Sequence, residues 1–262
     1  MPRFRQVLTY LRNRRAIETL QSIHAAVLSR WLVNFGTALT TVSQNSTMIF
    51  APHQDDETLG CGGVIALKRQ QNTAVRVVFL TDGSANRTDS AIVQTRRQEA
   101  LNALSILGVD ADHVHFLDYP DGRLHQVIEQ ERGTELIAAL VQLLMKYQPI
   151  EIYVPHCKDH HRDHEATYAL VQQAIAKSQL QVDLIQYAIW ALWKSPLLLK
   201  LKPQDLANAY RIPIHDVQFQ KQRAIAVYES QTEILPPQFL QQFDQPYEIF
   251  FTASRPTHRD IG

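Results

Sequence analysis

Two short stretches hold most of the side chains suited to chemistry. The first reads Phe50-Ala51-Pro52-His53-Gln54-Asp55-Asp56-Glu57-Thr58-Leu59-Gly60. The apolar run Thr47–Ala51 leads into it and the helix-like run Val64–Gln70 follows. His53, Asp55, Asp56 and Glu57 therefore sit where a strand ends and a helix begins, the edge at which open α/β sheets bind ligands. Desolvating three carboxylates together is costly unless a cation offsets them, so the stretch reads as half of a metal site. His53 and Asp56 are three residues apart and fall on one side of a turn. Asp55 must then point elsewhere, free to act as a base toward a substrate water. An acidic helix start explains Asp-Asp-Glu by itself, through the helix dipole, but not the histidine before it.

The second stretch is Pro155-His156-Cys157-Lys158-Asp159-His160-His161-Arg162-Asp163-His164-Glu165-Ala166, which places four of the chain's 11 histidines close together between another strand and another helix. His161 and His164 repeat the spacing of His53 and Asp56. If both strands belong to one sheet, the two clusters meet over its edge. Together they supply a His, an Asp and a His to one ion per chain, leaving positions for water and substrate, the layout of a catalytic zinc site that iron(II) also suits.

The elements that must position these clusters alternate strand and helix. Thr47–Ala51, Ala74–Leu80, His113–Leu117 and Ile150–Pro155 read as short buried strands. Ser90–Gly108 and Glu129–Tyr147 read as helices, closed by Gly108 and by Pro149. Such alternation predicts a Rossmann-like three-layer α/β sandwich with a mostly parallel sheet and right-handed crossovers. The second half is less regular. Asp183–Trp193 reads as a strand entering a Trp-containing loop, Tyr210–Ile214 as a strand, Val217–Tyr228 as a helix and Tyr247–Ala253 as a last strand. Residues 1–45 form a helical extension by their apolar spacing, and 46–262 a single catalytic domain. The extension suits packing on the main domain, on another subunit of a homo-oligomer, or, as a basic amphipathic helix, on a membrane surface.

The chain has 262 residues, 45% hydrophobic and 20% charged, enough for one large core. Its 26 basic and 26 acidic side chains give no global attraction to nucleic acid. Cys61 and Cys157 make no metal or disulfide motif, which fits a reducing cytoplasm. No apolar run reaches transmembrane length, and the Arg-rich start lacks a signal-peptide core. Gly60-Cys61-Gly62-Gly63 departs from a dinucleotide fingerprint, and its glycines suit close helix–sheet packing. Trp190 and Trp193 fit core packing better than a sugar platform.

At this point the sequence resembles the PIG-L/LmbE-like deacetylases, zinc enzymes that remove N-acetyl groups from glucosamine-containing conjugates. The resemblance rests on His53-Gln54-Asp55-Asp56-Glu57 and His161-Arg162-Asp163-His164. It is supported by Arg96-Arg97-Gln98-Glu99-Ala100, Tyr119-Pro120-Asp121-Gly122 and the stretch from Lys221 to Gln231. Gln54 and Arg162 stand where the family commonly has proline. The resemblance implies His53, Asp56 and His164 as zinc ligands, Asp55 as the base toward the attacking water, and His161 as the group assisting the tetrahedral intermediate or the leaving amine. It further implies Asp163 as the residue orienting a histidine, Arg96 as a holder of sugar or phosphate oxygens, and a small glycoconjugate substrate. Two other classes fit the same clusters: a metal phosphoesterase, which commonly uses two ions about 4 Å apart, and a metal-stabilised binding protein, which needs no base such as Asp55.

Overall fold

The computed structural model describes residues 19–23, 26–27, 37–38, 41–84, 90–194 and 208–252. Eight strands form one sheet: β1 (Thr37–Ala38), β2 (Thr47–Ala51), β3 (Val75–Thr81), β4 (Val114–Tyr119), β5 (Glu151–Pro155), β6 (Asp183–Tyr187), β7 (Ala209–Pro213) and β8 (Tyr247–Thr252). Their order across the sheet is β1-β7-β8-β6-β5-β2-β3-β4. All pairings are parallel except those of β8, which runs against both β6 and β7. The segment between β7 and β8 starts and finishes at the same sheet edge, where Pro213 pairs with Tyr247 and Ile214 N donates to Pro246 O. A strand entered from that edge has to run backwards.

Five longer helices cover the sheet: α1 (Asp56–Gln70), α2 (Ser90–Ile106), α3 (Glu131–Tyr147), α4 (Arg162–Ser178) and α5 (Gln218–Ala226). Both faces of β2 are buried, so its side chains alternate between two cores. Ile49 and Ala51 pack with Val64, Ile65, Leu104 and Ala224 of α1, α2 and α5. Met48 and Phe50 pack with Leu136, Leu140, Leu170 and Val171 of α3 and α4. This is the three-layer sandwich expected from the alternation. Gly60 and Gly63 let α1 lie close to the sheet, because a Cβ at either position collides with Tyr187 or Ile214.

The sheet begins earlier than residue 46. Thr37 and Ala38 pair with Tyr210 and Arg211, Val42 joins the core, and Ser43 bonds Glu151. The expected helical extension therefore stops short of the strand at residue 37. Within it, residues 19–23 and 26–27 are helical, with Leu20, Ile23 and Val27 exposed; the remainder of 1–36 lies outside the described residues. No helix among the described residues is long and apolar enough to cross a membrane.

The chain runs outward from β2 to β3 and β4, then returns to place β5 on the other side of β2. That reversal opens a crevice at the carboxyl ends of β2 and β5. Each of the two polar clusters follows one of those strands.

Candidate metal centre

The loop after β2 turns into α1 through Asp55, whose φ of 140° is rare for a residue with a side chain. The turn brings Asp56 back under His53, so that Asp56 Oδ2 accepts from His53 N at 3.1 Å and stands 3.1 Å from His53 Nδ1. The loop after β5 delivers His164, in the first turn of α4, with Nε2 3.3 Å from the same oxygen. His164 Nε2 is buried and makes no hydrogen bond. Ligands about 2.0–2.2 Å from a tetrahedral zinc stand roughly 3.3–3.5 Å from each other, and the two separations around Asp56 Oδ2, 3.1 and 3.3 Å, are close to that. Two imidazole nitrogens and a carboxylate oxygen are donor types that suit a zinc or iron(II) ion.

The far nitrogens of both histidines meet carboxylates, the arrangement that fixes the tautomer and orientation of metal-binding imidazoles. His164 Nδ1 lies 2.6 Å from Asp159 Oδ2. His53 Nε2 lies 3.1 Å from Asp121 Oδ1 and 3.3 Å from Asp163 Oδ2. Two groupings of donor atoms within 4.8 Å occur here, His53–His161–His164 and His53–Asp121–Asp163. Asp163 is already committed, accepting from Gly122 N at 2.6 Å and Leu124 N at 3.0 Å, and Asp121 faces the Arg96 guanidinium at 3.8 Å. We therefore read the acidic grouping as the support of His53 rather than as the ion's own cage. The sequence alone marks Asp121 only as part of the Tyr119-Pro120-Asp121-Gly122 stretch and Asp159 not at all as a site residue: each sits in a loop whose Pro, Gly or Lys neighbours make an aspartate look like an ordinary turn residue.

Burial pushes the Asp55 carboxyl up to about 7, with Asp56 adding to the rise and Arg96 opposing it. Burial opposes ionisation of Asp56 as well, but His164 and His53 override it and hold that carboxyl far below its usual range. The same pairing outweighs burial at the histidines: His164 rises to about 9 beside Asp56 and Asp159, and His53 is raised by Asp121, Asp163 and Asp56. His161 moves the other way, to about 3, through burial and its two histidine neighbours. Its ring centroid is 4.9 Å from that of His53 and 4.6 Å from that of His164, and its Nδ1 is buried without a hydrogen bond. Protons held by two histidines against a carboxylate occupy places that a divalent cation takes on binding.

Glu57 is fully buried and acts locally. It accepts from Asp55 N, Thr58 Oγ1 and Tyr228 OH, and burial raises its carboxyl to about 7. Arg96 continues the buried stripe of α2 that holds Glu99, Ala100, Ala103 and Leu104. Its Nη2 donates to Gln54 O at 2.8 Å and reaches Asp55 Oδ1 at 3.4 Å, while Nη1 donates to Gly83 O at 3.1 Å. Glu99 takes Ser230 N and Oγ rather than pairing with Arg96. A cavity of about 310 Å³ opens over the cluster. Trp190 lines it and Trp193 packs in the core, both against Phe239.

Residues 48–175 match the family described as PIG-L, GlcNAc-PI de-N-acetylase. This matched stretch, just under half of the chain, is similar to that family. It spans both polar clusters and the strands that deliver them. The chain is 33% identical over 121 residues to the "uncharacterized deacetylase YaiS" of Escherichia coli K12, covering 44% of this chain and 60% of that protein. It is 26% identical over 142 residues to a 4-oxalmesaconate hydratase of Pseudomonas putida, covering 50% of this chain and 52% of that one. The chain thus spans little more than half the length of each. Likeness of fold extends further than the sequence match. The crystal structure of the conserved protein TT1542 from Thermus thermophilus superposes with a TM-score of 0.64 at 22% identity, over 83% of this chain and 99% of that one.

Proposed function

We propose that this chain is a metal-dependent hydrolase that removes an N-acetyl group from an N-acetylglucosamine-containing conjugate. The observation that carries the reading is the convergence of His53 Nδ1 and His164 Nε2 on Asp56 Oδ2, with a second carboxylate, Asp55, left beside it facing the cavity. His53, Asp56 and His164 would hold the ion. Zinc or iron(II) bound there polarises an amide carbonyl and lowers the pKa of water toward about 7.

The chain's own groups supply the rest. Asp55 accepts the proton of the attacking water as the new C–O bond forms. Arg96 holds the Asp55 carboxylate through Nη2 and fixes the loop beneath it through Gln54 O. His161, as a neutral imidazole, donates an N–H toward the oxyanion of the tetrahedral intermediate. The proton held by Asp55 passes to the departing nitrogen as the C–N bond breaks, leaving acetate and a free amine. Asp121, Asp159 and Asp163 keep the two ligand histidines oriented. Cys61 and Cys157 are not joined in a disulfide, which supports a reducing cytoplasm as the setting.

The test is amine release from a panel of N-acetylglucosaminides, measured as purified, after chelation, and after adding back zinc or iron(II). Release that disappears and returns with the ion supports the reading; its absence from the metal-loaded protein overturns it. The hydratase relative supplies a second reading, in which the same base and ion add water across a carbon–carbon double bond. Loss of ultraviolet absorbance from unsaturated tricarboxylates, without amine release from any amide, would favour that alternative.

A further inference from the structure

The cavity has two walls of opposite chemistry. One is the cluster around His53, Asp55 and His161. The other is made by Leu59, Ile189, Trp190, Leu235 and Phe239. Trp190 lies nearly flat on Phe239, their ring centroids 4.2 Å apart and their planes 19° apart. Leu59, Ile189 and Phe239 line the cavity and are buried. On this second side the described residues add one polar side chain, Gln231, whose Nε2 donates to Ser230 Oγ at 3.0 Å. The backbone amides there are engaged too: Ile189 N and Trp190 N both donate to Asp159.

A bare amino sugar is a poor tenant for this wall. Its hydroxyls would exchange water for carbon, and each unmet polar group costs roughly 10- to 100-fold in affinity. An alkyl or aryl group meets the opposite situation, since every methylene removed from water favours binding roughly three- to fourfold. Size gives a bound. A cavity of about 310 Å³ lies at the small end of small-molecule sites. At about 30 Å³ for each water-sized volume it takes roughly ten heavy atoms. The amide itself uses about four, so roughly six carbons fit beside it only with the sugar ring left outside in water.

We propose that the group flanking the scissile amide is apolar, an alkyl or aryl group of about four to eight carbons seated on the Trp190–Phe239 wall. Either of two sources supplies that chemistry: an N-acyl chain longer than acetyl, or an apolar aglycone beside the amino sugar. The inference rests on the amide-hydrolase reading for its chemistry, but the wall itself is testable without turnover.

The metal-loaded full chain is assayed on two series. The acyl arm is N-acetyl-, N-butanoyl- and N-hexanoylglucosamine; the aglycone arm is the methyl, butyl and phenyl glycosides of N-acetylglucosamine. In one arm kcat/KM should rise about three- to fourfold per methylene, and Leu235→Ser and Trp190→Ala should flatten that slope. Flat or falling values in both arms, with the smallest substrates best, overturn the proposal. Calorimetry with hexanamide and acetamide separates the two layers of the argument. Should no amide be cleaved, hexanamide binding at least tenfold tighter than acetamide keeps the apolar subsite and removes the hydrolase reading. Equal affinities remove the subsite whatever the turnover.

Discussion

Asp159 joins His164 to the cavity wall through one carboxylate. Its Oδ2 lies 2.6 Å from His164 Nδ1, and its Oδ1 accepts from the backbone of Ile189, Trp190 and Ala191 at 3.0, 3.0 and 2.8 Å. Asp159 is fully buried, so an unpartnered charge there would be costly, and these donors meet that cost. The orientation of a candidate metal ligand and the position of the turn carrying Trp190 thus depend on the same side chain.

Asp159→Asn should therefore weaken zinc binding about 10- to 100-fold, the usual effect of removing a carboxylate behind a ligand histidine. It should also lower Tm, because an amide nitrogen replaces one of the acceptors facing three backbone N–H groups. Competition with a chromophoric chelator reads the first effect and calorimetric melting the second. Unchanged zinc affinity together with a lowered Tm would confine Asp159 to holding the turn.

The adjacent carboxylates Asp55 and Asp56 separate by metal content. Asp56 Oδ2 contacts both His53 and His164, whereas Asp55 faces Arg96 and the cavity. Asp56→Ala and His164→Ala should lose the ion. Asp55→Asn should keep it while kcat falls by about 10²–10⁴, the worth of a general base. Elemental analysis paired with steady-state kinetics decides, and a metal-free Asp55→Asn would reverse the two roles.

The sheet was legible because β-branched runs alternate with helical periodicity, and the clusters stood out because charged residues at a strand end are expensive. What joins the clusters was not legible. β2 and β5 are separated by about 100 residues, and only the crossover after β4 makes them neighbours. The direction of β8 was hidden too, since a buried strand shows the same residues running either way. Arg96 is instructive: a charged side chain four residues before Ala100 reads as surface by type, yet occupies the buried stripe because acceptors on two loops await it. The two-residue strand Thr37–Ala38 is too short to carry any period at all.

A buried ion pair is spliced into α1. Lys221 Nζ donates to Leu59 O at 2.8 Å and to Glu248 Oε1 at 2.7 Å, while Glu248 accepts from Gly63 N and Val64 N at 2.7 and 2.9 Å. Lys221→Met leaves Glu248 charged and buried with fewer donors, at a cost of about 3–5 kcal/mol. For a chain of this size that corresponds to a fall in Tm of roughly 6–20 °C. The double variant Lys221→Met/Glu248→Leu should recover part of the loss if the cost is the stranded charge, and none if it is the broken helix ladder.

Arg96 offers the last test, which distinguishes substrate binding from support of the base. The family resemblance implies a guanidinium that grips sugar or phosphate oxygens, an interaction beyond the reacting amide. Its contacts point inward instead: Gln54 O, Gly83 O and Asp55 Oδ1 take its terminal nitrogens, and the side chain is almost wholly buried. Bonds to a charged donor are worth about 1.5–3 kcal/mol when one partner is removed, so Arg96→Ala should lower kcat/KM about 10- to 150-fold. If Arg96 works through Asp55, the loss falls on kcat and is the same for N-acetylglucosamine and for a full conjugate. Arg96→Lys should not restore it, because a single ammonium cannot span two loop carbonyls and a carboxylate at once. A loss confined to KM for the larger substrate would instead place the guanidinium on the substrate, as the resemblance implies.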